Sequence, residues 1–85
     1  MLVSAEIRER LEERFSPQEI EVVDESEKHI GHAGYQEGGQ SHFHVRMRAR
    51  SLAGLSRLAR HRAVHDALGA DLIGRIHALA LDLSD

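Results

Sequence analysis

The segment "DESEKHIGHAG", residues 24 to 34, sets His29 and His32 three apart among acids and glycines. Imidazole is the commonest protein metal ligand and changes charge near neutral pH. Two histidines on a loop are too few to close a structural metal site, and a loop fixes no coordination geometry. Read alone they are solvated polar residues. His42 and His44 follow at the spacing that shares one strand face, and His77 stands in "RIHALAL". His42 is a third candidate donor whose more ordinary role is closing the loop onto the next strand. His77, read alone, is a half-buried core histidine. An independent zinc or copper site drawing on His29, His32, His42 and His44 is the competing metal reading.

Other chemistries find less support. The chain has no cysteine, which excludes disulfides, cysteine-based zinc fingers and a thiol nucleophile. Ser41 precedes His42, but neighbouring strand residues point to opposite faces and make no triad. No glycine-rich nucleotide motif follows a strand, and the acids belong to surface positions. The expectation is a protein that is not an enzyme. Arg57, Arg60 and Arg62, with His61, form a basic stretch suited to phosphate contacts. Against this, Arg46, Arg48 and Arg50 have acids of the first strand and helix to pair with. The chain also lacks a GxxG phosphate clamp and a set of aromatics for base stacking.

These residues need elements to hold them. Val3, Ile7, Leu11 and Phe15 recur at four-residue spacing, one apolar helical stripe with Ser4 as the expected N-cap and Pro17 as the stop. "EIEVVDE" predicts a strand, Ile20 and Val22 facing one way and Glu19 and Glu21 the other. A loop from about Ser26 to Gln40 follows, of a length that is usually functional or disordered. "SHFHVRMRARS" alternates strictly: Phe43, Val45, Met47 and Ala49 inward, and His42, His44, Arg46, Arg48 and Arg50 outward. Antiparallel pairing of the two strands would set Glu19 and Glu21 across from these arginines.

"LAGLSRLARHRAVHDALGADL" predicts helix. Leu55, Leu58 and Ala59 form one stripe and Val64, Leu68 and Leu72 another. The two do not join at one helical phase, so a bend or two short helices is expected near Arg60. Gly69 and Gly74 weaken the helix and mark its end. "RIHALAL" predicts a last strand, with Ile76, Ala78 and Ala80 on one face and His77, Leu79 and Leu81 on the other.

The order is α-β-β-α(α)-β: an α+β sandwich of three strands with helices on one face. Its 85 residues make a single domain, 1–85, with a light aliphatic core and no room for a second. The net charge of −3 hides an asymmetry. Nine acids fall in residues 1 to 27, whereas residues 41 to 65 hold six arginines and no acid. No apolar run approaches the ~20 residues of a membrane helix, and "MLVSAEIRER" becomes charged too soon for a signal peptide. The expected location is cytoplasmic.

"VVDES" before a histidine-bearing glycine loop, "SHF" opening the second strand, "RHR" in the helix and "IHAL" in the last strand together resemble the BolA family. The landmarks fall in the family's order from about residue 15 to 81, and "GHAG" resembles the subgroup with histidine in the loop. The resemblance implies a class II KH-like fold. It implies a monothiol glutaredoxin partner: a monomer alone, and a heterodimer sharing a [2Fe–2S] cluster with the glutaredoxin and glutathione. The isolated chain is expected to carry no cofactor. Partner and glutathione give thiolates, and this chain gives His77 plus a loop histidine, His32 or His29, left open between the two. Two imidazoles on one iron would resemble the Rieske arrangement, and acid should release such a cluster. The family is linked to iron–sulfur trafficking and iron regulation. Some members are described as transcriptional regulators that bind DNA, which would engage Arg57, Arg60, His61 and Arg62. One departure stands out: Leu52-Ala53-Gly54 occupies the place where the family tends to have an aromatic before the glycine.

Overall fold

The strict alternation expected over residues 42–50 becomes the central strand of a three-stranded sheet as far as Arg48, and Arg50 turns into a 3-10 turn. A computed structural model describes residues 1–26 and 39–85. The order is α1 (Val3–Phe15), β1 (Glu19–Asp24), β2 (His42–Arg48), a 3-10 turn at Arg50–Leu52, α2 (Arg57–Ile73) and β3 (Ala78–Ser84). β1 lies antiparallel to β2, and β3 parallel to it, with α2 as the crossover. Phe43, Val45, Met47 and Ala49 are buried against Ile7, Leu11 and Phe15 of α1 and Val64, Leu68 and Leu72 of α2. Both helices therefore cover one face, the α+β sandwich that the pattern predicts.

On the other face Glu19, Glu21, Arg46 and Arg48 are exposed. Glu19 lies across from Arg48, and Glu21 from Arg46. Arg46 Nη1 is 3.7 Å from Glu19, and Arg48 Nη2 is 3.4 Å from the same carboxylate. Exposed pairs like these contribute ~0–1 kcal/mol each, but they set like against unlike charge along the register.

Several local expectations are corrected. Ser4 does not cap α1. Leu2 is the N-cap without a side-chain bond, and the Gln40 side-chain carbonyl accepts from the Ser4 N–H at 3.1 Å. α2 begins at Arg57 rather than Leu52, because the Ser56 hydroxyl accepts from the Ala59 N–H and fixes the first turn there. The helix runs straight through Arg60. Its break is at Gly69, with φ 85° and ψ 152°. Arg10 answers the break: its guanidinium bonds the Leu68 carbonyl and, bidentately at 3.2 Å, the Asp71 carboxylate. The stripe of Leu55 and Leu58 is not core, being 39% and 59% exposed. The last strand starts at Ala78, so Ile76 and His77 precede it, and Leu79, Leu81 and Leu83 form its inward face.

Candidate metal-ligand site

Three chain segments meet where β1 ends, β2 begins and β3 is about to begin. Asp24 closes β1 and acts as a clasp. One carboxylate oxygen accepts from the Ser26 N–H at 2.9 Å and from the Ser26 hydroxyl. The other accepts from the Gln40 N–H at 2.9 Å and its side-chain amide at 2.7 Å. The residues that flank segment 27–38 are thus tied to a single side chain. Gly39 passes close by with φ 81°, and a Cβ there would sit 3.0 Å from Asp24 Oδ2. Only glycine combines that backbone conformation with so close an approach. Burial works to raise the Asp24 pKa. The hydrogen bonds from the Ser26 hydroxyl and N–H and from Gln40 outweigh it, and the carboxyl lies below its ordinary value.

Ser26 carries the clasp inward. Its hydroxyl oxygen accepts from the N–H groups of Ser41 (3.0 Å) and His42 (3.1 Å), and the Ser41 hydroxyl lies 3.2 Å away. Ser41 Oγ is also 2.8 Å from His42 Nδ1. The Ser41 carbonyl accepts from the N–H groups of His77 (2.8 Å) and Ala78 (3.2 Å), which docks the start of β3 on the start of β2. Among the described residues, no buried side-chain nitrogen or oxygen lacks a partner.

His42 is 3% exposed, although its strand parity points it to the face that carries Arg46 and Arg48. His77 is exposed, and the two rings lie 4.9 Å apart at 47°. The structure therefore brings His77 beside His42, the residue assigned the ordinary role of loop closure. It does not place His77 within a strand. His29 and His32 lie outside the described residues. Among those described, no group of three or more histidines and acids is gathered for a metal ion. The donor chemistry is consistent with a shared site: the chain offers exposed imidazole and no thiol. Any thiolate at a mixed-ligand centre must come from another molecule.

The basic residues sit elsewhere. Arg57 and Arg62 are exposed. Arg60 is engaged: Nε donates to the Leu55 carbonyl at 3.1 Å and Nη2 to Asp85 at 3.0 Å. His61 is half-buried and helps line a cleft of about 460 Å³ with Leu55, Arg57 and Leu81. This cleft lies toward the C-terminal end of β3, whereas His77 precedes its first residue.

The polar clasp of Asp24, Ser26, Gln40 and Ser41 is the part the reading of the sequence missed. Its signal is present, an Asp-x-Ser step in which the carboxylate bonds the N–H two residues on. A bond across fourteen or more residues leaves no comparable trace.

Comparison with known proteins agrees with this architecture. Residues 11–84 match the family model described as BolA-like protein. BolA-like protein 1 of Homo sapiens is 46% identical over 79 residues, covering 93% of this chain and 55% of that protein. A protein of Vibrio cholerae named DNA-binding transcriptional regulator BolA is 37% identical over 75 residues, covering 88% of this chain and 67% of that protein. The structure of the BolA domain of SufE1 from Arabidopsis thaliana superposes with a TM-score of 0.81 at 36% identity, over 95% of this chain and 88% of that one. The chain spans about half the length of the human relative, so the likeness is that of a domain. With a family match over nearly its whole length and a shared fold, the chain belongs to the BolA-like family.

Proposed function

We propose that this domain is an adaptor that binds a monothiol glutaredoxin and lends imidazole to a [2Fe–2S] cluster held jointly with that partner and glutathione. The observation that carries the reading is an exposed His77 beside a fixed, buried His42, in a chain with no cysteine. When bound, the cluster would supply the electron-accepting and transferable cargo. The chain's own residues do the holding. The Ser41 carbonyl pins the backbone of His77, and the Asp24 clasp brings both flanks of segment 27–38 to the same end of the sheet. His32 or His29 of that segment would provide the second nitrogen. The role is iron–sulfur trafficking or iron regulation in the cytoplasm, as a monomer that becomes a heterodimer with its partner.

The test is anaerobic reconstitution of glutaredoxin, iron, sulfide and glutathione, with and without this protein. The expected outcome is a change in the visible absorption and circular dichroism of the cluster, lost in His77→Ala. A spectrum indifferent to the protein, or to that substitution, removes the reading.

Nucleic-acid binding is the second reading. It is favoured by exposed Arg57 and Arg62 near half-buried His61, and by the name of the Vibrio cholerae relative. Its signature is binding that weakens steeply with salt and falls in Arg57→Ala and Arg62→Ala. Because Arg60 is committed to Asp85 and the Leu55 carbonyl, Arg60→Ala should act partly through local structure. Absence of binding to single- or double-stranded oligonucleotides at low salt removes this reading.

A further inference from the structure

We infer that His42 is a positioning residue for His77: its buried ring is a fixed wall that holds the exposed imidazole in one orientation. The inference rests on the reading of His77 as a cluster ligand. An exposed histidine at a strand mouth ordinarily spreads over several staggered rotamers, and a ligand so spread must lose that freedom each time it binds.

Among the described residues, two restraints act on His77, and both trace to one place. Its backbone N–H hangs on the Ser41 carbonyl at 2.8 Å. Its ring lies 4.9 Å from that of His42, the residue after Ser41. His42 in turn has little room to move. It is 3% exposed, its N–H donates to the Ser26 hydroxyl at 3.1 Å, and its Nδ1 is 2.8 Å from the Ser41 hydroxyl. If Ser41 donates its single proton to His42, Nδ1 accepts. If that proton goes to Ser26, Nδ1–H donates to Ser41. In both tautomers Nδ1 is engaged and the ring is held. Ser26 and Ser41 fix the wall, and Ser41 also fixes what rests against it. This gives a physical reason for a polar ring being buried at a position whose strand neighbours His44 and Arg46 reach solvent.

The test is nuclear magnetic resonance of the full chain labelled at histidine. In the unsubstituted protein, the χ1 couplings of His77 should report one dominant rotamer, with cross-relaxation between the two rings. His42→Ala should average those couplings while the amide spectrum stays folded, and His42→Phe, which restores a ring, should return the single rotamer. A merely structural role for His42 would lower stability without this pattern. An averaged His77 in the unsubstituted protein, or a folded His42→Ala retaining one rotamer, overturns the inference. Should His42→Ala fail to fold, Ser41→Ala decides: it should loosen His77, and an unchanged His77 overturns the inference. In the reconstituted complex, His42→Ala should weaken cluster-dependent association about three- to tenfold, the cost of ordering one side chain, and His42→Phe should not. If His77→Ala leaves the cluster unchanged, the ligand reading falls while the rotamer result stands on its own.

Discussion

One hydroxyl, that of Ser26, is shared by the Asp24 carboxylate, two backbone N–H groups and the Ser41 hydroxyl. Removing it leaves buried donors without an acceptor, which costs more than the bonds themselves return. Ser26→Ala should destabilise by about 2–4 kcal/mol in urea unfolding, and should also disturb the amide signals of Ser41 and His42. Asp24 makes a pH prediction. Its folded-state pKa is depressed, so the unfolded chain binds more protons in the window between the two values. The stabilisation is fully present above the unfolded value, about 3.9, and is lost as pH falls through the folded one. Asp24→Asn should lower stability at pH 7 and flatten the acid limb of stability against pH, read from melting temperatures between pH 2 and 7. At this scale the sequence showed the histidines but not their setting. His42 was legible as the head of a strand. Its burial and its place beside His77, thirty-five residues downstream, left no local trace.

The elements differ in how far local pattern decided them. β2 was legible in its start and its buried face, because a central strand with one covered face needs strict alternation, though it ends at Arg48, two residues before the alternation does. α2 was not. Its two apolar stripes suggested a bend between them, but the first stripe is simply exposed, and the real break is set by Gly69 and by Arg10 reaching over from α1. At φ 85° and ψ 152° an L-residue is strained, and a Cβ would lie 2.8 Å from Asp71 Oδ1. Gly69→Ala should therefore cost about 1–3 kcal/mol. Gly74→Ala, at the ordinary φ of −68° but with its Cβ 3.1 Å from the Ala70 carbonyl oxygen, should cost less. Equilibrium unfolding of the two variants side by side is the check. The ion pairs that join α1 to the far end of α2 lean the same way. The guanidinium of Arg75, bonded to Glu6, holds that carboxyl below its usual range, and Arg10 does the same for Asp71.

Across the whole molecule, the histidine pair and the basic cleft occupy opposite ends of β3, whose seven residues span roughly 20 Å. Substitutions at one end should leave the other alone. Arg57→Glu with Arg62→Glu should abolish any nucleic-acid binding yet leave the cluster spectrum of the reconstituted complex unchanged. Burial sorts the leucines of α2. Leu68→Ala empties a fully buried site and should cost about 2–5 kcal/mol. Leu58→Ala, at a 59% exposed position, should cost about 0.5 kcal/mol or less, as thermal unfolding can show. Layer order and strand count were legible because the apolar periods belong to each element separately. The meeting of residues 24, 42 and 77 was not, because it is a property of topology.

That topology has a consequence for biosynthesis. β3 pairs in parallel with the central strand across the whole α2 crossover, and the Ser41 carbonyl waits for an N–H that lies thirty-six residues downstream. Such late, long-range pairing is slow to find. A ribosome that has emitted β1, β2 and most of α2 has made His42 and the clasp, but not His77, which lies just before β3. The histidine pair therefore comes into being only when the sheet is finished and the His77 N–H has reached the Ser41 carbonyl.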